Sequence, residues 1–200
     1  MIKVEDIAVY NIDAAIRGMR HPLESYSDSD SQFHADSCHF ELGENDRKLA
    51  LKLIKAGTDH SKFMRQIFVS MDITAPLYWW KEMDQYKVST VTNSTSTMHT
   101  IHKKGITTDL FSFDEIKQVD IDYCEYLEGL RQSYIKTKDK KYWRELIQRL
   151  QSSFNQKRTW TGNYQILRNI QSGRQNHKLI EWVNFCNEFI MLPCNELILN

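Results

Sequence analysis

Apolar positions along this chain fall into blocks of two periods, near 2 and near 3.6, separated by short polar stretches. Lys3 to Tyr10 alternates weakly and ends at Asn11, which predicts a first strand followed by a helix through Ala14, Ala15, Ile16 and Met19. Tyr26 to Gln32, YSDSDSQ, is polar and turn-forming, and suits a mobile segment or a lid. Asn45 and Asp46 then predict the cap of an amphipathic helix carrying Leu49, Ala50, Leu53 and Ile54, with Gly57 as its stop. From Phe63 to Met71 the composition turns to strand, with Phe63, Ile67, Phe68, Val69 and Met71, and Asp72 ends the run.

Thr74 is placed to cap a helix and Pro76 suits its first turn, so Leu77 to about Tyr86 reads as helix. Its adjacent Trp79 and Trp80 are about 100° apart around such a helix. One can enter the core while the other meets a loop, a subunit interface or a flat ligand ring; burial of both is the simpler expectation. Val88 to Thr97 has no helical period and is rich in Ser and Thr, hence a loop or irregular strand. Ser112-Phe113-Asp114 predicts the start of a helix through Ile116, Val119, Tyr123 and Leu127. A basic segment, Lys136 to Lys141, leads to another helix with Tyr142, Trp143, Leu146, Ile147 and Leu150. The last two helices are expected around Tyr164 to Gly173 and from Leu179 through Trp182, Val183, Cys186 and Ile190, halted by Pro193. The sum is a helix-rich α+β chain with few strands and no internal repeat, read as a single domain over residues 1–200.

With 200 residues the chain can bury a core without disulfide or metal staples. Its 26 basic and 26 acidic residues cancel, which argues against nucleic acid or an anionic membrane as main partner and favours a small molecule or a protein. No apolar run approaches the roughly 18 residues of a membrane span. The start, Met1 to Asp6, lacks a signal-peptide core, so the expected location is cytoplasmic. Cys38, Cys124, Cys186 and Cys194 have no C-x-x-C spacing and read as reduced core thiols. His34, Cys38 and His39, and separately His99 and His102, form no recognised ligand set, so no metal is expected.

Two stretches carry candidate chemistry. Thr74 to His99 runs from the aromatic helix into a hydroxyl-rich loop closing on Asn93-Ser94-Thr95-Ser96, which can surround an anion with donors. In the second, Lys157 and Arg158 precede Thr159, Thr161 and Asn163 and a helix bearing Arg168 and Arg174. Adjacent cations and hydroxyls suit a phosphate, although a solvated charge pair at a turn reads the same way.

Together these stretches resemble the flavin-dependent thymidylate synthases. That family carries a helix, a Gly-His turn, Ser-x-Phe-Glu-His, an x-Phe strand, and a helix into Arg-His-Arg-x-x-Ser-x-Asn-x-x-Ser. This chain offers Lys48 to Ala56, Gly57 to His60, Ser61-Lys62-Phe63-Met64-Arg65, Phe68, and Asn93 to Ser96 in that order. Near the C-terminus Leu150 to Arg174 is similar without gaps to the family's Leu-Pro, Arg, Thr-x-Asn and Leu-Arg elements, with Trp160, Thr161, Asn163, Asn169 and Arg174 in corresponding places. The resemblance covers roughly residues 48 to 190.

Several charged positions depart from the pattern. The Arg-His-Arg triplet falls on Tyr86-Lys87-Val88, leaving one cation; Thr95 and Met98 replace a Glu and an Arg, and Arg65 replaces a flavin-contacting His. Gln151 stands at the prolyl position, Lys157 aligns with a phosphate-binding Arg, and His177 and Glu181 match the final His-Ala-Gln-x-Glu-Ile element only with a one-residue deletion. The resemblance implies a small, mostly antiparallel central sheet and a homotetramer. It also implies binding of flavin adenine dinucleotide (FAD) and deoxyuridine monophosphate, with reduced nicotinamide and methylenetetrahydrofolate as further substrates. Carried over residue by residue, it implies Lys87, Asn163, Asn169, Arg174 and His177 toward the flavin, and Asn93, Ser94, Ser96, Lys157 and Arg158 toward the nucleotide. Two functions are consistent with it: a divergent enzyme of this type or a related nucleotide-modifying one, and a catalytically inactive homologue working as a nucleotide-binding or protein-interaction module in a bacterial or phage setting.

Overall fold

The structure, a computed structural model, describes residues 2–36 and 39–199. In chain order the strands are β1 (Lys3–Tyr10), β2 (Gln32–His34), β3 (His39–Glu41), β4 (Phe68–Pro76), β5 (Val91–Ser94) and β6 (Asn155–Asn163). The α-helices are α1 (Ile12–Arg20), α2 (Glu44–Lys55), α3 (Leu77–Met83), α4 (Thr97–Thr100), α5 (Gln118–Thr137), α6 (Lys140–Arg149), α7 (Tyr164–Arg174), α8 (Ile180–Asn187) and α9 (Glu196–Leu199). The fold is helix-rich α+β with a small, mostly antiparallel sheet, as expected. Four strands order as β1-β4-β6-β5, and β2 and β3 form a separate antiparallel hairpin in which Phe33 faces Phe40.

The chain divides into two compact units, each built from separated stretches. One comprises Met1–Lys3, Asp72–Tyr86 and Thr92–Thr159; the other comprises Val4–Met71, Lys87–Val91 and Trp160–Asn200.

In the first unit α5 and α6 form a helical hairpin. Lys138 turns the chain in the left-handed region (φ 57°), and the Asp139 carboxylate caps α6 by accepting the Lys141 N–H. The hairpin closes on Ile101, Ile106, Phe111, Leu127, Leu146 and Phe154. Helix α5 starts later than its sequence suggests. Ser112 instead donates its N–H to the Ser153 carbonyl beside a Phe111–Phe154 bridge, where Phe111 is buried on an extended backbone. Trp79 and Trp80 are both fully buried, edge to face, and the Trp80 indole N–H donates to the Gln156 carbonyl.

Strand β4 runs past Asp72 as far as Pro76. Val69, Met71, Ile73 and Ala75 are buried while Ser70, Asp72 and Thr74 are half-buried, so Asp72 is one polar position in a period-2 pattern and not a stop. Thr74 therefore lies in a strand, and α3 starts at Leu77 with Pro76 as its cap residue.

In the second unit, α7 packs against α8 and α9, and α1 against α2. Two expectations change here. Asp46 does not cap α2. The first N–H groups of that helix, from Asn45 and Asp46, are accepted by the Asp30 carboxylate, which lies so close to Gly43 that a Cβ there would meet it at 2.2 Å. Asp46 is instead fully buried with Arg20, Nε to Oδ1 2.5 Å. The Tyr26–Gln32 stretch is no loose lid: Ser29, Asp30 and Ser31 all donate to Asp46 Oδ2, and Arg20 donates to the carbonyls of Ser25 and Asp28. Gly57 follows the end of α2 with φ 108°, a conformation that favours glycine. Cys124 and Cys186 are free and buried, Cys194 is free and partly buried, and Cys38 lies outside the described residues. No described helix is long and apolar enough to cross a membrane.

Candidate functional site

Lys157 and Arg158 lie inside β6, so their side chains leave on opposite faces. Lys157 Nζ is 3.0 Å from Asp72 Oδ2, and the Thr159 hydroxyl donates to Asp72 Oδ1 at 2.6 Å. The bonds from Thr159 and Lys157 hold the Asp72 carboxyl below its ordinary pKa. Arg158 pairs with Asp84 at 2.8 Å, donates from Nε to Gln156 Oε1, and lays its guanidinium 4.3 Å from the Trp80 ring centroid. The expected phosphate receptor is thus already engaged by carboxylates from β4 and from the residue that ends α3.

Part of the hydroxyl-rich loop is similarly committed to backbone groups, its own and those of β6. Thr95 donates both its N–H and its hydroxyl to the Lys157 carbonyl, at 2.9 and 3.2 Å. The Ser96 hydroxyl caps α4 by accepting the His99 N–H at 3.3 Å. Asn93 and Ser94 are exposed on β5, while Lys87 is exposed in the other unit.

In that other unit, α7 divides sharply. Ile166, Leu167 and Ile170 are buried. Gln165, Arg168, Asn169, Gln171, Ser172 and Gln175 line a cavity of about 320 Å³, with Thr58 and Ser61 opposite. Ser61 donates to Gln165 Oε1 at 3.2 Å, and Gln165 Nε2 donates to Asn169 Oδ1 at 3.0 Å. Among the described residues the Asn169 side chain uses only its oxygen, accepting from Gln165. The Gln171 side-chain oxygen is buried with no hydrogen-bond partner among the described residues, an arrangement that costs stability unless a ligand or water supplies a donor.

The other candidates on α7 have different positions. Asn163 is 2 % exposed and caps the helix, its side-chain oxygen accepting the Ile166 N–H at 3.1 Å; its role is to start α7. At the far end Arg174 sits 2.9 Å from His177 Nε2 and 4.7 Å from the Trp182 ring centroid, while His177 Nδ1 lies 3.2 Å from the Leu179 N–H. The structure therefore brings Arg174 and His177 together and puts Asn169 in a cavity. Gln165 and Gln171 were not singled out from sequence, and Ser61 entered only as the start of the Ser-x-Phe element. The signal was present: 165, 169 and 172, and 168, 171 and 175, are polar at helical spacing opposite an apolar face. Among the described residues no group of three or more His, Cys, Asp or Glu could hold a metal.

No protein-family model matches this sequence, and no curated protein matches it significantly. Solved structures do match in fold. One is thymidylate synthase X (ThyX) from Helicobacter pylori, crystallised with FAD and dUMP, at TM-score 0.76 and 17% identity over 98% of this chain and 96% of that one. A second crystal structure, the flavin-dependent thymidylate synthase ThyX from Helicobacter pylori complexed with FAD and dUMP, gives TM-score 0.75 and 16% identity over 98% and 97%. The resemblance seen in scattered motifs thus extends to the fold of nearly the whole chain.

Proposed function

We propose that this protein binds nucleotides as a homo-oligomer of the flavin-dependent thymidylate synthase type, and that the cavity along α7 holds part of a flavin adenine dinucleotide. The observation that carries this reading is the α7 polar row lining a cavity, in a chain whose fold matches ThyX structures that contain FAD and dUMP. The residues present fit one nucleoside half of the cofactor. Asn169 offers donors, Gln171 forms part of the wall, and Ser61 and Gln165 fix the Asn169 amide in place. About 320 Å³ is at the small end for a ligand pocket, so a whole dinucleotide needs further walls, which a tetramer would supply.

Bound flavin would supply hydride to a deoxyuridine monophosphate methylated at the expense of methylenetetrahydrofolate, with reduced nicotinamide as the source of electrons. For that reaction the chain's own residues must hold the nucleotide phosphate and stabilise charge on the base. Arg174, which the resemblance carries toward the flavin, sits against His177 and the Trp182 ring and would place a cation beside that cofactor. A second reading, a homologue that binds without reacting, is favoured by one observation: Lys157 and Arg158 are each matched to a carboxylate. Each missing electrostatic contact to the reacting group costs about a hundredfold or more.

Growth of a thymidine-requiring strain separates the two. Rescue by this chain, lost in Arg174→Ala, supports the enzyme; soluble folded protein that co-purifies with flavin and fails to rescue supports the binding module. Colourless protein that retains no nucleotide by mass spectrometry would remove both readings.

A further inference from the structure

A second cavity, of about 610 Å³, opens in the same unit and has no part in the function proposed above. Its floor is apolar, built from Met19 of α1, Leu53 of α2 and the buried Phe63, and continued by Ala14, Pro22 and Leu23. Gly18 shapes one wall: a Cβ there would lie 3.2 Å from Gln66 Oε1, so the Gln66 side chain rests against α1 where the glycine leaves room.

The rim is basic. Arg17, His21, His60 and Lys62 line it, against Asp59 as the one carboxylate among its lining residues. His21 is held by the Tyr26 hydroxyl at 3.0 Å. Among the described residues the side chains of Arg17, His60 and Lys62 have no hydrogen-bond or ion-pair partner. This contrasts with Arg20, Arg131, Lys157 and Arg158, each joined to a carboxylate in a chain of formal net charge zero. Unmatched cations at the mouth of an apolar cavity attract an anion, and the walls reward an apolar body attached to it.

We propose that this cavity is a binding site for an amphipathic organic anion, with an aromatic body on the Met19, Leu53 and Phe63 floor and its acidic group at Arg17 and Lys62. The turn from Gly57 to Lys62 separates it from the α7 cavity: Gly57, Thr58 and Ser61 line one side, Asp59, His60 and Lys62 the other. The site is independent of the flavin reading.

The test is fluorescence titration of the full chain with anilinonaphthalene sulfonate, an aromatic anion, and with uncharged phenylnaphthylamine. The expected result is saturable binding of the anion at one site per chain, weakened about tenfold or more by Arg17→Glu with Lys62→Glu, while the uncharged probe keeps its affinity. Ala14→Trp, which fills the floor, should reduce both. Circular dichroism establishes folding; if Ala14→Trp does not fold, the exposed charge reversals decide alone. Anion affinity unchanged by the reversals would overturn the proposal. So would equal loss of both probes, uptake of many equivalents without saturation, or loss of the probe on Asn169→Ala, which would place it in the other cavity.

Discussion

Replacing Asp46 by Asn should be among the most damaging single changes in this chain. Asp46 accepts from the Arg20 guanidinium at one oxygen and, at the other, from the Ser29 and Ser31 hydroxyls and the N–H groups of Asp30 and Ser31. The side chains of Arg20 and Asp46 are 4% and 0% exposed. Burial on its own would raise the Asp46 pKa, but the hydrogen bonds from Ser31, Arg20 and Ser29 outweigh it and hold the carboxyl below its ordinary value. Asn can keep one acceptor, but it turns its NH₂ toward donors and leaves a buried guanidinium without its counter-charge. Breaking a buried pair in this way costs about 3–5 kcal/mol. At about 2–4 °C per kcal/mol for a chain of this size, Tm should fall by roughly 6–20 °C. Thermal denaturation followed by circular dichroism at neutral pH measures this. Limited proteolysis should show new cleavage within Tyr26–Gln32, whose anchoring bonds are lost. Arg20→Met with Asp46→Asn leaves no buried charge, keeps one acceptor for the Ser29–Ser31 donors and should recover part of the difference. Asp46→Asn within about 1 kcal/mol of the parent, or an Arg20→Met, Asp46→Asn double variant less stable than Asp46→Asn alone, would show that this pair does not anchor the segment.

Three further outcomes follow from the geometry. Hydrogen bonds from Arg131, aided by Gln132 and the Ile106 N–H and opposed by burial, hold Glu128 at about 2. A depressed carboxyl contributes stability above its unfolded value and loses it as pH falls through the folded one, so Glu128→Gln should flatten the acid limb of Tm against pH between about 4.5 and 2. Gly162→Ala would put a Cβ 2.3 Å from the buried Trp160 ring, and denaturant titration should show about 1–3 kcal/mol lost. Asp72→Asn with Asp84→Asn removes the carboxylates facing Lys157 and Arg158. Calorimetry should then show affinity for deoxyuridine monophosphate rising by about two- to fivefold per pair, and an unchanged value would take these cations out of the nucleotide site.

Elements fixed by local pattern were legible in the sequence. The amphipathic periods of α1, α2, α6 and α7 placed those helices, and the scattered family motifs anticipated a fold that the comparison extends to nearly the whole chain. What escaped depends on partners far away in sequence. Asp72 looked like the end of a strand because a polar residue on the outward face of a sheet reads locally like a turn; its inward neighbours Met71 and Ile73 show otherwise. The YSDSDSQ stretch looked mobile because nothing in it is apolar, yet its polar groups are anchored by a buried carboxylate 15 to 17 positions on. Lys157 and Arg158 looked like a phosphate receptor, but each meets a carboxylate far away in sequence, Asp72 for Lys157 and Asp84 for Arg158. The α7 cavity was half legible: Asn169 came from the motif, while Gln171 required knowing which side of the helix faces open space.

The flavin reading places part of a flavin nucleotide on the polar row of α7. Titrating the purified chain with flavin adenine dinucleotide, followed by the flavin absorbance shift and fluorescence quenching, tests it most directly. Saturable uptake is expected, weakened about tenfold or more by Asn169→Ala with Gln171→Ala while the fold and Tm are retained. Folded protein that takes up no flavin, or takes it up equally well without Asn169 and Gln171, would contradict it.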